Sequence, residues 1–226
     1  CCYNQGRYLR ACLDSIGAST DVNLEQIVVD DGSTDETPQV ILDWFSSIDE
    51  CWRRHVKIIR NQSNQGLPES CNAALALARS RFVLRVDADD WIDPHALSRM
   101  KIALSHEMEG GAMAVFAGYT LTDEQGTAGR VIAHNEERHP GCAMYVTRAA
   151  HEVKYRDGLE HYEGKEFHDR FLSRFKASYL DEPLWFYRQH HSSKTHAHEE
   201  KRERIVNAGM TIGVGGNWET SSSCTL

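Results

Sequence analysis

The chain has 226 residues, 41% of them hydrophobic and 26% charged, with a formal net charge of −8. That length and apolar share suffice for one domain with a sizeable core. The acidic balance argues against sequence-independent nucleic-acid binding, which needs massed Lys and Arg to neutralise phosphates. Seven cysteines with no C-x-x-C pair fit neither a disulfide framework nor a zinc ribbon, so a reducing cytosol is the expected compartment.

In chain order, Leu9, Cys12, Leu13 and Ile16 recur at helical spacing. Gln26-Ile27-Val28-Val29 reads as a buried strand that runs into a tight turn at Asp30-Asp31-Gly32. Val40, Ile41, Trp44 and Phe45 share the face of a second helix, with Thr34 or Asp35 as its cap and Pro38 in its first turn. Val56 to Ile59 is the next strand. Leu67, Cys71, Ala74, Leu75 and Ala78 line a third helix. Phe82 to Val86 is a third strand and ends in Asp87-Ala88-Asp89-Asp90, and a helix opens at Pro94. This alternation predicts an α/β domain with a central, mostly parallel sheet flanked by helices. Beyond Gly110 the pattern predicts strands at Met113 to Leu121, Cys142 to Val146 and Leu184 to Tyr187, and a helix from Glu163 to Phe175. The segment after His196 is polar and then rich in Gly and Ser, the composition of a poorly ordered tail. The longest apolar run, Gly111 to Leu121, has 11 residues, short of the roughly 18 a bilayer span requires.

Two acidic clusters stand at the ends of two predicted strands, Asp30-Asp31 and Asp87-Ala88-Asp89-Asp90. Parallel strands bring both to the sheet edge where open α/β folds bind ligands. Five carboxylates in one crevice repel each other unless a cation offsets them. Mn²⁺ or Mg²⁺, hard ions that take oxygen ligands, is the natural partner. Each cluster alone has a plainer reading. Asp30 or Asp31 is ordinary turn chemistry, and Asp89 or Asp90 can cap the helix at Pro94. Both together, at strand ends about 55 residues apart, weigh for a site.

Cys2-Tyr3-Asn4, the helix from Leu9 to Ile16 and Val28-Val29-Asp30-Asp31-Gly32-Ser33-Thr34-Asp35 resemble the opening of family 2 glycosyltransferases. Asn64-Gln65-Gly66, Cys71-Asn72-Ala73-Ala74 and Asp87-Ala88-Asp89-Asp90 resemble that family's next segments, the last its D-x-D motif. Glu163 to Arg170 and Tyr187-Arg188-Gln189-His190-His191-Ser192-Ser193-Lys194-Thr195 resemble its acceptor-side helix and its Y-R-x-H-x-x-S-x-T stretch. The resemblance covers about residues 2–195. It implies a GT-A domain over 1–195, with a nucleotide-sugar half at 1–104 and an acceptor half at 105–195, followed by a tail at 196–226. In that family a hydrophobic first strand precedes Cys-Tyr-Asn, so the chain is expected to be a fragment that lacks the start of its domain.

The resemblance also implies roles. Tyr3 would lie against the nucleotide base, and Asp30 or Asp31 would accept a hydrogen bond from the base or ribose. Asn4, Gly32, Asn64, Gly66, Asn72, Asp87, Ala88 and Arg188 would complete the donor pocket. Asp87, Asp89, Asp90 and His190 would hold Mn²⁺ or Mg²⁺ against the diphosphate. The expected reaction is inverting transfer from a nucleoside diphosphate sugar, a UDP-sugar first, to a hydroxyl of a saccharide or lipid-linked acceptor. Its expected setting is surface polysaccharide or glycolipid synthesis in the cytoplasm, at the inner face of the membrane, with peripheral association and no transmembrane segment. Inversion requires one carboxylate base. The family's Asp at the start of the acceptor helix is Gly164 here, so the base falls to Glu163, with Glu160 and Glu166 as competitors.

Other classes fail on spacing. An EF-hand wants an acid or amide and a Gly where Trp91 and Ile92 stand. G-x-x-x-x-G-K-[ST] is absent, and the one Gly-x-Gly, at Gly213 and Gly215, lies in the tail. The alternatives that remain are a sugar nucleotidyltransferase, which would show a basic Gly-rich loop near the start, and a catalytically impaired nucleotide-sugar-binding domain, for which Gly164 speaks.

Overall fold

Helices and strands alternate through the first hundred residues as the hydrophobic spacing predicts: α1 (Gly6–Gly17), β1 (Gln26–Asp30), α2 (Thr37–Ser47), the short α3 (Glu50–Arg53), β2 (Val56–Arg60), α4 (Leu67–Leu77), β3 (Phe82–Leu84), β4 (Trp91–Ile92) and α5 (Ala96–Glu107). After a 3-10 turn at Met108–Gly110 come β5 (Ala112–Thr122), β6 (Ala128–Ile132), β7 (Ala143–Val146), α6 (Thr147–Val153), α7 (Glu163–Leu172) and β8 (Lys176–Arg188). The structure, a computed structural model, describes residues 1–21, 23–133, 141–159, 162–191, 193, 210–212 and 218–220. Cys1–Arg188 forms one compact unit and Gln189–Leu226 a second. In the second unit β9 (Met210–Ile212) and β10 (Trp218–Thr220) pair antiparallel, an order that the tail's composition does not predict. The rest of the expected tail lies outside the described residues.

The apolar stripes do what their spacing requires. Leu9, Cys12 and Leu13 of α1 are buried, as are Ile41 and Trp44 of α2. With Cys2, Val28 and Ala88 they form a small core around β1. The residue at the cap of α2 is Glu36, which makes no side-chain bond there, and the expected Asp35 stands one residue earlier with its carboxylate accepting from the Thr37 N–H at 2.9 Å. A larger core gathers α5, α6 and α7 on β5, β7 and β8, with Met100, Leu104, Phe116, Phe171 and Trp185 at its centre.

Strand directions are mixed. β1 and β2 form a parallel pair in which Asp30 faces Arg60. The remaining strands form a six-stranded sheet in the order β3-β7-β5-β8-β4, with β6 also on β5. There β5 and β8 run parallel over a long register, and the pairs β3–β7, β5–β7, β5–β6 and β4–β8 are antiparallel. The α/β class with flanking helices holds, and the parallel character is confined to β1–β2 and β5–β8. Sequence order suggests β3 as a parallel companion of β1, but β3 pairs with β7. A cavity of about 520 Å³ lies between them, lined by Ile27 and Val28 of β1, Phe82 and Leu84 of β3, Leu13 of α1 and Leu75 of α4. None of the five carboxylates of the acidic clusters lines it, although Cys2, Arg85 and Ala88 beside them do.

Candidate functional site

The first acidic turn is built by Cys2, which adds one parallel rung to β1: its N–H donates to the Val29 carbonyl at 2.8 Å, and its carbonyl accepts from the Asp31 N–H at 2.9 Å. Asn4 follows at φ +52°, in the left-handed region that Asn tolerates. Its Oδ1 accepts from the Thr34 N–H at 2.8 Å, and its own N–H donates to Ser33 Oγ at 3.0 Å. Asn4 therefore fastens the turn to the chain start. Tyr3, between these two anchors, is 41% exposed.

Asp30 and Asp31 are both buried, and they differ in occupancy. Asp30 Oδ1 accepts from the Ser33 N–H at 2.9 Å, and Oδ2 faces Arg60 Nε at 3.3 Å without a hydrogen bond. Asp31 is filled: Oδ1 accepts from Asn61 Nδ2 at 2.7 Å and the Gln65 N–H at 2.9 Å, and Oδ2 accepts from the Gly66 N–H at 2.9 Å. Asn64 Oδ1 shares that Gly66 N–H at 2.9 Å. The carboxylate thereby ties loop 61–66 to the end of β1. Gly32 permits the approach. Its φ is +72°, and a Cβ there would stand 2.6 Å from the Ser63 carbonyl carbon.

The second acidic turn closes over the same small core through Ala88, and its Asp87 carbonyl lies 3.4 Å from Cys12 Sγ of α1. Its three carboxylates do three different things. Asp87 Oδ2 accepts from Arg85 Nη2 at 3.0 Å, and Oδ1 stands 2.9 Å from Nε as an ion pair without a hydrogen bond. Asp89 is partly exposed, and its carbonyl accepts from Arg188 Nε at 2.9 Å. Asp90 is buried, accepting from the Arg188 N–H at 2.9 Å and from Trp185 Nε1 at 3.2 Å. Burial, and then the charges of Asp89 and Asp87, push its carboxyl well above the usual carboxylate range.

Several residues expected at the ligand also make contacts within the fold. Asp90, expected at the metal, points to Trp185 and the β8 backbone. The Arg188 guanidinium lies between the rings of Tyr8 and Trp91, 5.0 and 4.6 Å from their centroids, with Nη1 on the Glu124 carbonyl at 2.7 Å. Asn72 holds Tyr155 at both its N–H (2.8 Å) and its carbonyl (2.9 Å). His190 belongs to the second unit, where its carbonyl accepts from the Ser193 N–H at 3.1 Å. Among the described residues no group of three His, Cys, Asp or Glu is suited to hold a metal ion by itself.

On the acceptor side, Tyr162 (φ +59°) turns the chain into α7, whose first turn carries Glu163 and Glu166. Glu166 is held by Arg170 at 2.6 and 2.7 Å, with Arg156 at 3.3 Å, and the Arg170 pair keeps its carboxyl below the usual range. Glu163 is buried, and among the described residues no hydrogen bond or ion pair engages its carboxylate. Glu160 lies outside the described residues. Arg85, Tyr155 and Trp185 were not anticipated as part of the site. The signal for Arg85 was a cation inside the apolar run Phe82 to Val86, two residues before Asp87.

The flanked sheet with acidic turns after β1 and β3 is the GT-A architecture. Solved structures share it: TarS 1-349 of S. aureus in complex with UDP matches at a TM-score of 0.68 and 20% identity, covering 84% of this chain and 59% of that one. The same protein in complex with UDP-GlcNAc matches at 0.64. PcManGT, a mannosyltransferase from Pyrobaculum calidifontis in complex with GDP-Man and Mn²⁺, matches at 0.66 and 16% identity, covering 90% and 59%. The family model described as glycosyl transferase family 2 matches residues 1–189, and the chain belongs to that family. Among curated relatives, EpsH of Bacillus subtilis (strain 168), which carries a glycosyltransferase name, is 30% identical over 235 residues. The chain spans 64% of the length of EpsH and 12% of that of the glycosyltransferase GlyA of Streptococcus pneumoniae.

Proposed function

We propose that this chain transfers a glycosyl group from a nucleoside diphosphate sugar to a hydroxyl acceptor, with inversion and with Glu163 as the base. The observation that carries the reading is the contrast within α7: Glu166 is saturated by arginines, whereas the buried Glu163 carboxylate is engaged by no partner among the described residues. In the reaction the Glu163 carboxylate removes the acceptor proton as the acceptor oxygen bonds to the anomeric carbon. The bond from that carbon to phosphate breaks, and its electron pair leaves on the diphosphate.

The donor set suits a hard divalent ion that keeps most of its ligands from phosphate and water. Asp87 and Asp89 would hold Mn²⁺ or Mg²⁺, and Asp90, committed to Trp185, would not. When bound, the ion offsets negative charge developing on the leaving diphosphate. Of the first pair, Asp30 keeps an acceptor position on Oδ2 for a base or ribose donor, while Asp31 holds the loop beneath it. Exposed Tyr3 offers a face to the base. Because a solved neighbour holds UDP and UDP-GlcNAc, a UDP-sugar is the first donor to try, with GDP-sugars next. The acceptor class is a saccharide or lipid-linked hydroxyl, as in surface polysaccharide or glycolipid synthesis at the inner face of the membrane. No helix among the described residues is long and apolar enough to cross a membrane.

Calorimetric binding of UDP, GDP, CDP and dTDP, with and without Mn²⁺, tests this on wild type and Asp89→Ala. One nucleotide is expected to bind with Mn²⁺ and to weaken at least about 10-fold in the variant, the scale of losing a metal ligand. Binding that is indifferent to both Mn²⁺ and the substitution would remove the metal from the proposal. Binding without turnover of the matching sugar nucleotide would instead favour the impaired binding domain.

A further inference from the structure

We propose that Arg85 is a positioning residue that couples the donor-side carboxylate Asp87 to the helix carrying Glu163; this rests on the glycosyl-transfer reading. The chain of contacts is continuous. Arg85 Nη2 donates to Asp87 Oδ2 at 3.0 Å, and its Nε stands 2.9 Å from Oδ1 as an ion pair. Its guanidinium lies over the Tyr155 ring, 5.8 Å from the centroid. Tyr155 stacks on Phe167 with centroids 4.4 Å apart and planes 13° from parallel. Phe167 is one helical turn past Glu163, so both project from the same side of α7.

The bridge is anchored from below as well. Asn72 of α4 clamps the Tyr155 backbone at 2.8 and 2.9 Å, which fixes the point from which the ring projects. Only 17% of the Arg85 side chain is exposed, and Glu163 is among the groups whose charge reaches it. The cation thus grips Asp87 directly and reaches α7 through the Tyr155–Phe167 stack. A planar guanidinium can pair with Asp87 while its face covers Tyr155, and a lysine ammonium has no such face. Apolar packing alone would serve a simple core position at 85, yet an arginine stands there with its charge matched to Asp87.

The test uses release of nucleoside diphosphate from the cognate sugar nucleotide, with water as acceptor, so no acceptor need be known. Arg85→Met is expected to lower kcat by about 30- to 100-fold, since a misplacement of about 1 Å costs on the order of 10²-fold. Donor KM is expected to stay within about threefold. Arg85→Lys and Tyr155→Leu should each lose about 10-fold in kcat with the same split. A merely structural role would move kcat, donor KM and Tm together, and that pattern, or an unchanged kcat in folded Arg85→Met, overturns the proposal. Should Arg85→Met fail to fold, Arg85→Lys decides by the same criteria. If wild type turns over no donor, the glycosyl-transfer reading fails by itself. Hydrogen exchange of the α7 amides then tests the bridge alone: faster exchange in Arg85→Lys supports it, and unchanged exchange overturns it.

Discussion

Two buried carboxylates, Asp31 in the turn after β1 and Glu163 in the first turn of α7, have nearly the same exposure, 3% and 8%, and opposite surroundings. Asp31 receives three hydrogen bonds from loop 61–66. Glu163 receives none among the described residues. The Glu163 oxygens are not among the fully buried atoms without a partner, so the carboxylate keeps contact with solvent, where a substrate hydroxyl can meet it. The comparison teaches that in this domain an acid's assignment follows from its donors. Asp31, with a full set, holds the scaffold, and Glu163, with none among the described residues, is the acid we propose for chemistry.

The sharpest way to break that rule is a pair of substitutions one turn apart. Glu163→Gln keeps the shape and removes the base, so kcat is expected to fall by about 10²- to 10⁴-fold, the range of a general-base contribution. Glu166→Gln should leave kcat within about threefold, because its carboxylate already belongs to Arg170 and Arg156. Steady-state turnover of both variants decides. A larger loss in Glu166→Gln would move the base to the wrong side of the comparison.

The scaffold side is tested at Gly32. An alanine there needs both a positive φ and room that the Ser63 backbone occupies at 2.6 Å, so Gly32→Ala must push loop 61–66 away from Asp31. Denaturant unfolding is expected to show a loss of about 2–3 kcal/mol, the scale of backbone strain plus a broken buried contact. A loss below about 0.5 kcal/mol, within the usual range for surface changes, would mean that the three hydrogen bonds to Asp31 matter little.

The long apolar stripes made α1, α2, α4 and β5 legible, because burial on one face imposes the period that spacing reveals. β6 was not, since four of its five residues are exposed and leave no alternation to read. β4 is two residues long, and its place beside β8 depends on a partner more than ninety positions away. Strand order failed for the same reason: nothing local in Phe82 to Leu84 says that β7, and not β1, lies alongside. At the site, the two acidic turns were visible from their residues, but their division of labour was not. Asp90 looks like its neighbour Asp89 until Trp185 and the Arg188 N–H are placed against it. Asn72 and Arg188 read as polar ligands, and nothing local to either shows that it also meets Tyr155 or the Tyr8–Trp91 pair.

Glu25 offers the smallest and cleanest extension of the comparison, a saturated acid remote in role from either acidic turn. Burial works to raise its carboxyl, but Lys57, the N–H groups of Arg79 and Ser80 and the Ser80 hydroxyl outweigh burial and bring it down to about 2. A folded-state value below the unfolded one means that the ionised form stabilises the fold. The contribution is complete above about pH 4.5, the ordinary value, and disappears as pH falls through about 2. Glu25→Gln keeps an acceptor for the backbone N–H groups and loses the charge toward Lys57. Its Tm is therefore expected to lie below wild type by less than about 4 °C at pH 7, the shift of a sub-kilocalorie change in a domain of this size. The gap should narrow steadily between pH 4.5 and 2. Calorimetric Tm values across that window check the sign. A deficit that persists undiminished at pH 2 would show that the neutral hydrogen bonds, and not the charge, are what Glu25 contributes, and would extend the distinction between filled and unfilled acids to their uncharged forms.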